Sequence, residues 1–132
     1  MKVGILMGST SDESKMQKAK ETLEEFGIES DWRVLSAHRN PEQVGDFASN
    51  ARDNRFAAII CGAGMAAHLA GAVAAHSTKP VIGIPIESGG MGGIDSLLST
   101  AMMPPGVPVA TVAVGKSGAK NSAILAVQIL AT

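Results

Sequence analysis

His38 and Arg39 stand side by side in the stretch SAHRN, directly after the short apolar run WRVL. An imidazole can take and return a proton near neutral pH, and a guanidinium is a permanent planar cation whose fork matches phosphate oxygens. Ser36 opens the same stretch with a hydroxyl. A second constellation follows the first apolar run, KVGILM, where Gly8 precedes Ser9, Thr10, Ser11 and Asp12. If a helix starts there, its free N–H groups make an anion site to which the three hydroxyls add donors, and a phosphate is the natural guest. Ser11 has a plainer alternative role, capping that helix. Asp12 and Glu13 would repel a phosphate; the conflict resolves if Asp12 turns aside to accept hydrogen bonds from sugar hydroxyls while Glu13 faces water. The segment lacks the spacing and the lysine of a nucleoside-triphosphate P-loop.

Two further stretches offer chemistry. In CGAGMAAHLAG, Gly62 and Gly64 present bare N–H groups to a carboxylate or flat ring, or else simply let a helix pack on a strand, and His68 sits in the turn or the first helical turn. His76 falls at the far end of that helix, where it interacts with the C-terminal dipole. ESGGMGGIDSL places four glycines within five residues, either a mobile lid or a wall against a ligand, and Asp95 and Ser96 then start a helix that Asp95 is placed to cap. MMPPGVP stiffens the approach to the last apolar run.

These residues need a scaffold. The runs KVGILM, WRVL, FAAIIC, PVIGIPI and VPVATVAV are nearly continuous rather than alternating, as strands covered on both faces of a parallel sheet should be. From Asp12 to Phe26 the residues Met16, Ala19, Leu23 and Phe26 share one helical face, and Gly27 follows as a stop. In NPEQVGDFASNA, Asn40 is the expected N-cap, Pro41 the first helical residue and Gln43 the partner of a capping box, with Val44, Phe47, Ala48 and Ala51 inward. Alternating strands and helices predict a three-layer αβα fold around a parallel, roughly five-stranded sheet, with ligands outside the carboxyl ends of the strands. The helices AKNSAILAVQILA and MAAHLAGAVAAH are apolar around much of their circumference, which predicts a homo-oligomer unless they are buried within one subunit.

Bulk properties narrow the partners. The 132 residues fit a single domain, and a net charge of -1 with 17% charged residues gives no field to attract nucleic acid or an anionic membrane. Cys61 is the lone cysteine, so no internal disulfide forms and a reducing, cytoplasmic compartment is expected. No run approaches the roughly 18 apolar residues of a membrane helix.

Taken in order and spacing, MGSTSD, SAHRNP, GAGMAAHLAG, GIDSLLS and MPPGVPVATVAVG resemble the aminoimidazole ribonucleotide carboxylase family of de novo purine biosynthesis, in particular its N5-carboxyaminoimidazole ribonucleotide mutase branch. The likeness spans nearly the whole chain. It implies a flavodoxin-like fold, an octamer, and reversible transfer of a carboxylate from the exocyclic nitrogen to carbon 4 of the imidazole, with no metal, biotin or ATP. By position it gives the 5'-phosphate to Ser9, Ser11 and Arg39, the ribose hydroxyls to Asp12, the acid and base role to His38, and a place beside the carboxylate or the phosphate to Ser36. Ala63, Gly64, His68 and Leu69 would line the pocket around the base and the carboxylate.

The chain also departs from that family's pattern. Met65 replaces a usual glycine, Ala70 a usual proline, Asn40 a common threonine and Glu87 a frequent glutamine. Many relatives continue beyond the position of Thr132 into a C-terminal helix packed on a neighbouring subunit, so the resemblance implies one catalytic domain over 1–132 without that extension. SAHR, rather than the SAHK of the branch using free carbon dioxide, favours mutase over direct carboxylase. A flavodoxin-like electron carrier is a more distant alternative, against which stand the absence of tyrosine and the single Trp32. A phospho-receiver module would need an acidic pair after the first strand.

Overall fold

The computed structural model describes residues 1–132. Its strands are β1 (Lys2–Met7), β2 (Ser30–Val34), β3 (Phe56–Gly64), β4 (Val81–Ile86) and β5 (Ala110–Thr111). The helices are α1 (Glu13–Glu25), α2 (Pro41–Ser49), α3 (Leu69–His76), α4 (Ile94–Ala101) and α5 (Lys116–Leu130). The five strands form one sheet in the order β2-β1-β3-β4-β5, every pair parallel. This is the order of a flavodoxin-like doubly wound fold, in which the chain leaves β1 toward one edge and returns past it to β3, opening a crevice at their carboxyl ends.

Alternation along β1 divides the core in two. Val3, Ile5 and Met7 face Met16, Ala19 and Leu23 of α1 and Ala119, Ala123 and Ala126 of α5. Leu6 faces Val44, Phe47 and Ala48 of α2 and Leu69, Ala70 and Val73 of α3. Gly4 shares that second face because a Cβ there would come within 3.0 Å of the Phe47 ring. The aliphatic side chains of the central strands are fully buried, each contributing about 2 kcal/mol by leaving water. Cys61 is buried among them, and burial pushes its thiol well above the ordinary range, so it is an inert filler.

The edges are less buried than the apolar runs predict. β2 pairs only with β1, its residues are half-buried or exposed, and Asp31 and Arg33 pair across its surface at 2.9 Å. β5 is two residues long, because Pro104, Pro105 and Pro108 precede it and proline offers no N–H to a ladder. The inner faces of α3 and α5 are buried within the chain, while Leu125, Val127, Ile129 and Leu130 stay only partly covered.

Helix ends show where local sequence was read correctly and where it was not. Gly27, at φ 71°, ends α1 with the paired bonds Gly27 N to Glu24 O and Ile28 N to Leu23 O, both 2.9 Å. Asn40 holds the N-cap position of α2 and Pro41 its first turn, yet the Asn40 side chain makes no cap bond. Its Oδ1 instead accepts from Ser36 N at 3.1 Å, while Asn40 N donates to Ser36 O at 2.7 Å. The carboxamide closes the SAHRN loop on itself rather than the helix.

Candidate active site

At the carboxyl end of β1 the chain passes through a 3-10 turn, Thr10–Asp12, before α1. Ser9 caps that turn, accepting from Ser11 N at 3.3 Å, and its hydroxyl lies 3.0 Å from that of Ser11. Ser11 is thus not the cap of α1: Ser9 caps the 3-10 turn, and the helix proper begins at Glu13 with Asp12 in the N-cap position making no side-chain cap bond. Gly8 does not adopt a left-handed conformation; a Cβ there would meet nothing, because it would project into the open space of a cleft.

That cleft has a volume of about 420 Å³, within the range of small-molecule sites. The first loop lines it with Ser9, Ser11 and Asp12, and the β2 loop adds Ser36, His38 and Arg39. Ala63 and Gly64 at the end of β3 form a further wall, with His68 and Leu69 at the start of α3. The His38 and His68 rings lie nearly parallel, 10° apart in plane and 5.7 Å between centroids. Every site residue expected from the sequence therefore borders one space.

The loops carry their own bracing. Arg39 N donates to Ser36 Oγ at 3.2 Å, which with the Asn40 bonds fixes the backbone under His38. Burial pushes the Asp12 carboxyl above its ordinary pKa, opposed by the attraction of Lys15 and a backbone hydrogen bond at Ser9. Desolvation disfavours its ionised form, which hydroxyl donors of a ligand would favour.

The two glycines read as alternatives divide between them. Gly62 is buried within β3, where a Cβ would collide with Met16, so it serves helix–sheet packing. Gly64 borders the cleft, and a Cβ there would collide with the Ser88 hydroxyl. His76 sits at the end of α3 with Nδ1 2.9 Å from Ala72 O, away from the cleft. Asp95 lies in the first turn of α4, whose N-cap is Gly93 at φ 86°, so Asp95 is not the cap; its Oδ1 is buried without a partner.

Sequence reasoning missed Ser88, Met65 and Ala66, which also border the cleft. Ser88 lies two residues past β4, where strand ends place ligands, but a serine beside four glycines carries no further signal in the sequence. Met65 adopts φ 52°, a left-handed conformation unusual for a residue with a side chain.

Fold and cleft together define a class: a doubly wound α/β protein with a hydroxyl-lined turn and a histidine pair bordering one cleft at the carboxyl ends of its strands. A family profile described as AIR carboxylase matches residues 2–132, and the chain belongs to that family. It is 49% identical over 132 residues to the N5-carboxyaminoimidazole ribonucleotide mutase of Vibrio parahaemolyticus, covering 100% of this chain and 82% of that one. It is 52% identical over 129 residues to the enzyme of the same name from Pyrococcus abyssi, covering 98% and 73%. Among solved structures, Treponema denticola PurE superposes with a TM-score of 0.86 at 33% identity, over 98% of this chain and 79% of that one.

Proposed function

We propose that this chain is an N5-carboxyaminoimidazole ribonucleotide mutase of de novo purine biosynthesis, moving the carboxylate from the exocyclic nitrogen to carbon 4 of the imidazole. The observation that carries the reading is that His38 shares one cleft with the Ser9–Asp12 turn and with Arg39. Relatives bearing that name match over the full chain.

The division of labour follows from chemistry. Ser9, Ser11, the N–H groups of the first turn and Arg39 take the 5'-phosphate, and Asp12 accepts from the ribose hydroxyls. Binding energy from these remote groups fixes the ring over His38. Protonated His38 gives its proton to the exocyclic nitrogen as the carboxylate leaves as carbon dioxide. The ring carbon then attacks carbon dioxide, and His38 recovers the proton from that carbon, restoring aromaticity. Ser36, Ala63, Gly64, His68 and Leu69 border the reacting end, where exclusion of water keeps the neutral intermediate in place.

We further propose a cytoplasmic homo-octamer. The outward face of α4 supports assembly: Ile94, Leu98 and Met102, spaced four residues apart, are 58%, 53% and 77% exposed, more apolar surface than a lone protomer should offer water.

The test is His38→Asn. Turnover of the N-carboxylated nucleotide should fall by about a thousandfold, the scale of general acid–base catalysis, while calorimetric binding of the product nucleotide persists. Near-normal turnover in His38→Asn would remove the proposed proton path. Supplying the decarboxylated nucleotide with carbon dioxide in a parallel assay separates a mutase from a direct carboxylase.

A further inference from the structure

The loop after β4 sends a single residue into the cleft, Ser88. Its hydroxyl lies over the Gly64 backbone, in the space that a Cβ at position 64 would claim, and takes no part in the side-chain hydrogen bonds of the chain. It is a free donor beside Gly64, which the reading above places at the reacting end. On its other side a second cleft of about 430 Å³ opens, lined by Lys15, Glu87, Gly90 and Lys116 among others, and Ser88 is the residue common to both. Ser88 is therefore the partition between the reacting end and a second, polar space.

The partition is tied in place from α1. Lys15 Nζ donates to the Glu87 carbonyl at 2.8 Å, across 72 residues of sequence, and Glu87 immediately precedes Ser88. Lys15 lies one helical turn beyond Asp12, so a single ammonium braces the first and fourth loops. Glycines at positions 89 and 90 leave the loop beyond Ser88 without side-chain restraint, which makes this tether the main fixed point.

We infer that Ser88 is a substrate contact at the carboxylate end of the cleft, donating to the carboxylate and closing the route to the second cleft, and that Lys15 is the positioning residue that holds it there. The inference rests on the carboxylate-transfer reading above. When the nitrogen–carbon bond breaks, its electron pair stays on nitrogen, which takes the proton of His38. The freed carbon dioxide either receives the electrons of the ring carbon or escapes, leaving decarboxylated nucleotide. A hydroxyl donor and wall at position 88 bias that choice toward recapture.

The experiment measures, by chromatography in carbon-dioxide-depleted buffer and with the uncatalysed background subtracted, the ratio of decarboxylated to C4-carboxylated nucleotide. Ser88→Ala should raise this ratio about fivefold, the effect of one lost hydrogen bond, with KM within about twofold of the parent because the phosphate end is untouched. Ser88→Gly, which also removes the wall, should leak at least as much. Lys15→Met should leak in the same direction, and Lys15→Arg, able to donate to the same carbonyl, should restore the parent ratio. Parent-like ratios in both Ser88 variants would overturn the inference. A parent-like ratio in Lys15→Met while the Ser88 variants leak would overturn the role of Lys15. A parent chain that makes no C4-carboxylated nucleotide at all would overturn the functional reading itself, a result distinct from either.

Discussion

The two halves of the sheet are built differently. The loops after β1, β2 and β3 are short, hold themselves with internal bonds such as Ser11 N to Ser9 Oγ and Ser36 N to Asn40 Oδ1, and with the end of β3 and the start of α3 supply all but one of the residues lining the cleft. Beyond β4 the glycine-rich loop contributes Ser88 alone, β5 shrinks to two residues, and α4 leaves its apolar stripe in water. The first half is finished within one chain. The second leaves an apolar stripe in water, which the proposed assembly would cover, and on that reading chemistry and assembly are separated along the sequence.

The largest effect that could break this contrast is on assembly. Leu98→Glu puts a charge in the middle of the α4 stripe, where burial against a partner without a counter-charge is strongly unfavourable. Light scattering should show the assembly replaced by smaller species. Because Leu98 is 53% exposed, the protomer itself should change stability by no more than about 0.5 kcal/mol. An unchanged particle mass would show that the exposed stripe is not the assembly face and that the second half needs another explanation.

A smaller effect sharpens the contrast from the other side. The Asp12 carboxyl has a raised pKa in the fold, so its ionised form is less favourable there than in the unfolded chain. Its contribution to stability therefore falls as pH rises through the carboxylate range. Asp12→Asn should raise the melting temperature of the ligand-free protein at neutral pH, with the gap to the parent closing as pH is lowered. It should also weaken nucleotide binding by about tenfold, since sugar hydroxyls lose a charged acceptor. A lower melting temperature in the variant would mean that the first half carries no such strain at its ligand site.

How legible each half was follows the same division. KVGILM and FAAIIC became the central strands because continuous apolar character leaves few alternatives, and Gly27 stopped α1 through backbone bonds that any sequence with glycine there can make. Misreadings arose where a polar side chain had several partners within reach. Asn40 and Ser11 carry residue types typical of caps, but the loop geometry that sends Asn40 back to Ser36 and sets a 3-10 turn capped by Ser9 ahead of α1 is a tertiary outcome. Edge strands were overestimated because apolar runs do not reveal which strand lacks a neighbour. Ser88 escaped notice for a related reason: its importance depends on lying over Gly64, 24 positions away and on another strand.

The smallest predicted effect falls where the halves meet. Met65 keeps φ 52° at the end of β3, a conformation that costs a residue with a Cβ about 1 kcal/mol and costs glycine almost nothing. The turn is secured from α4: Ala67 N donates to Ser99 Oγ at 2.9 Å, and that hydroxyl lies 3.2 Å from Met65 O. Comparing Met65→Gly with Met65→Ala isolates the backbone cost, because both remove a side chain that is 58% exposed and only the alanine keeps the Cβ. Glycine loses more freedom on folding, which offsets part of the gain, so denaturant titration should find the glycine variant ahead by less than about 1 kcal/mol. If alanine proves the more stable, the left-handed turn carries no penalty, and the hold of Ser99 on the third loop is not needed to oppose strain.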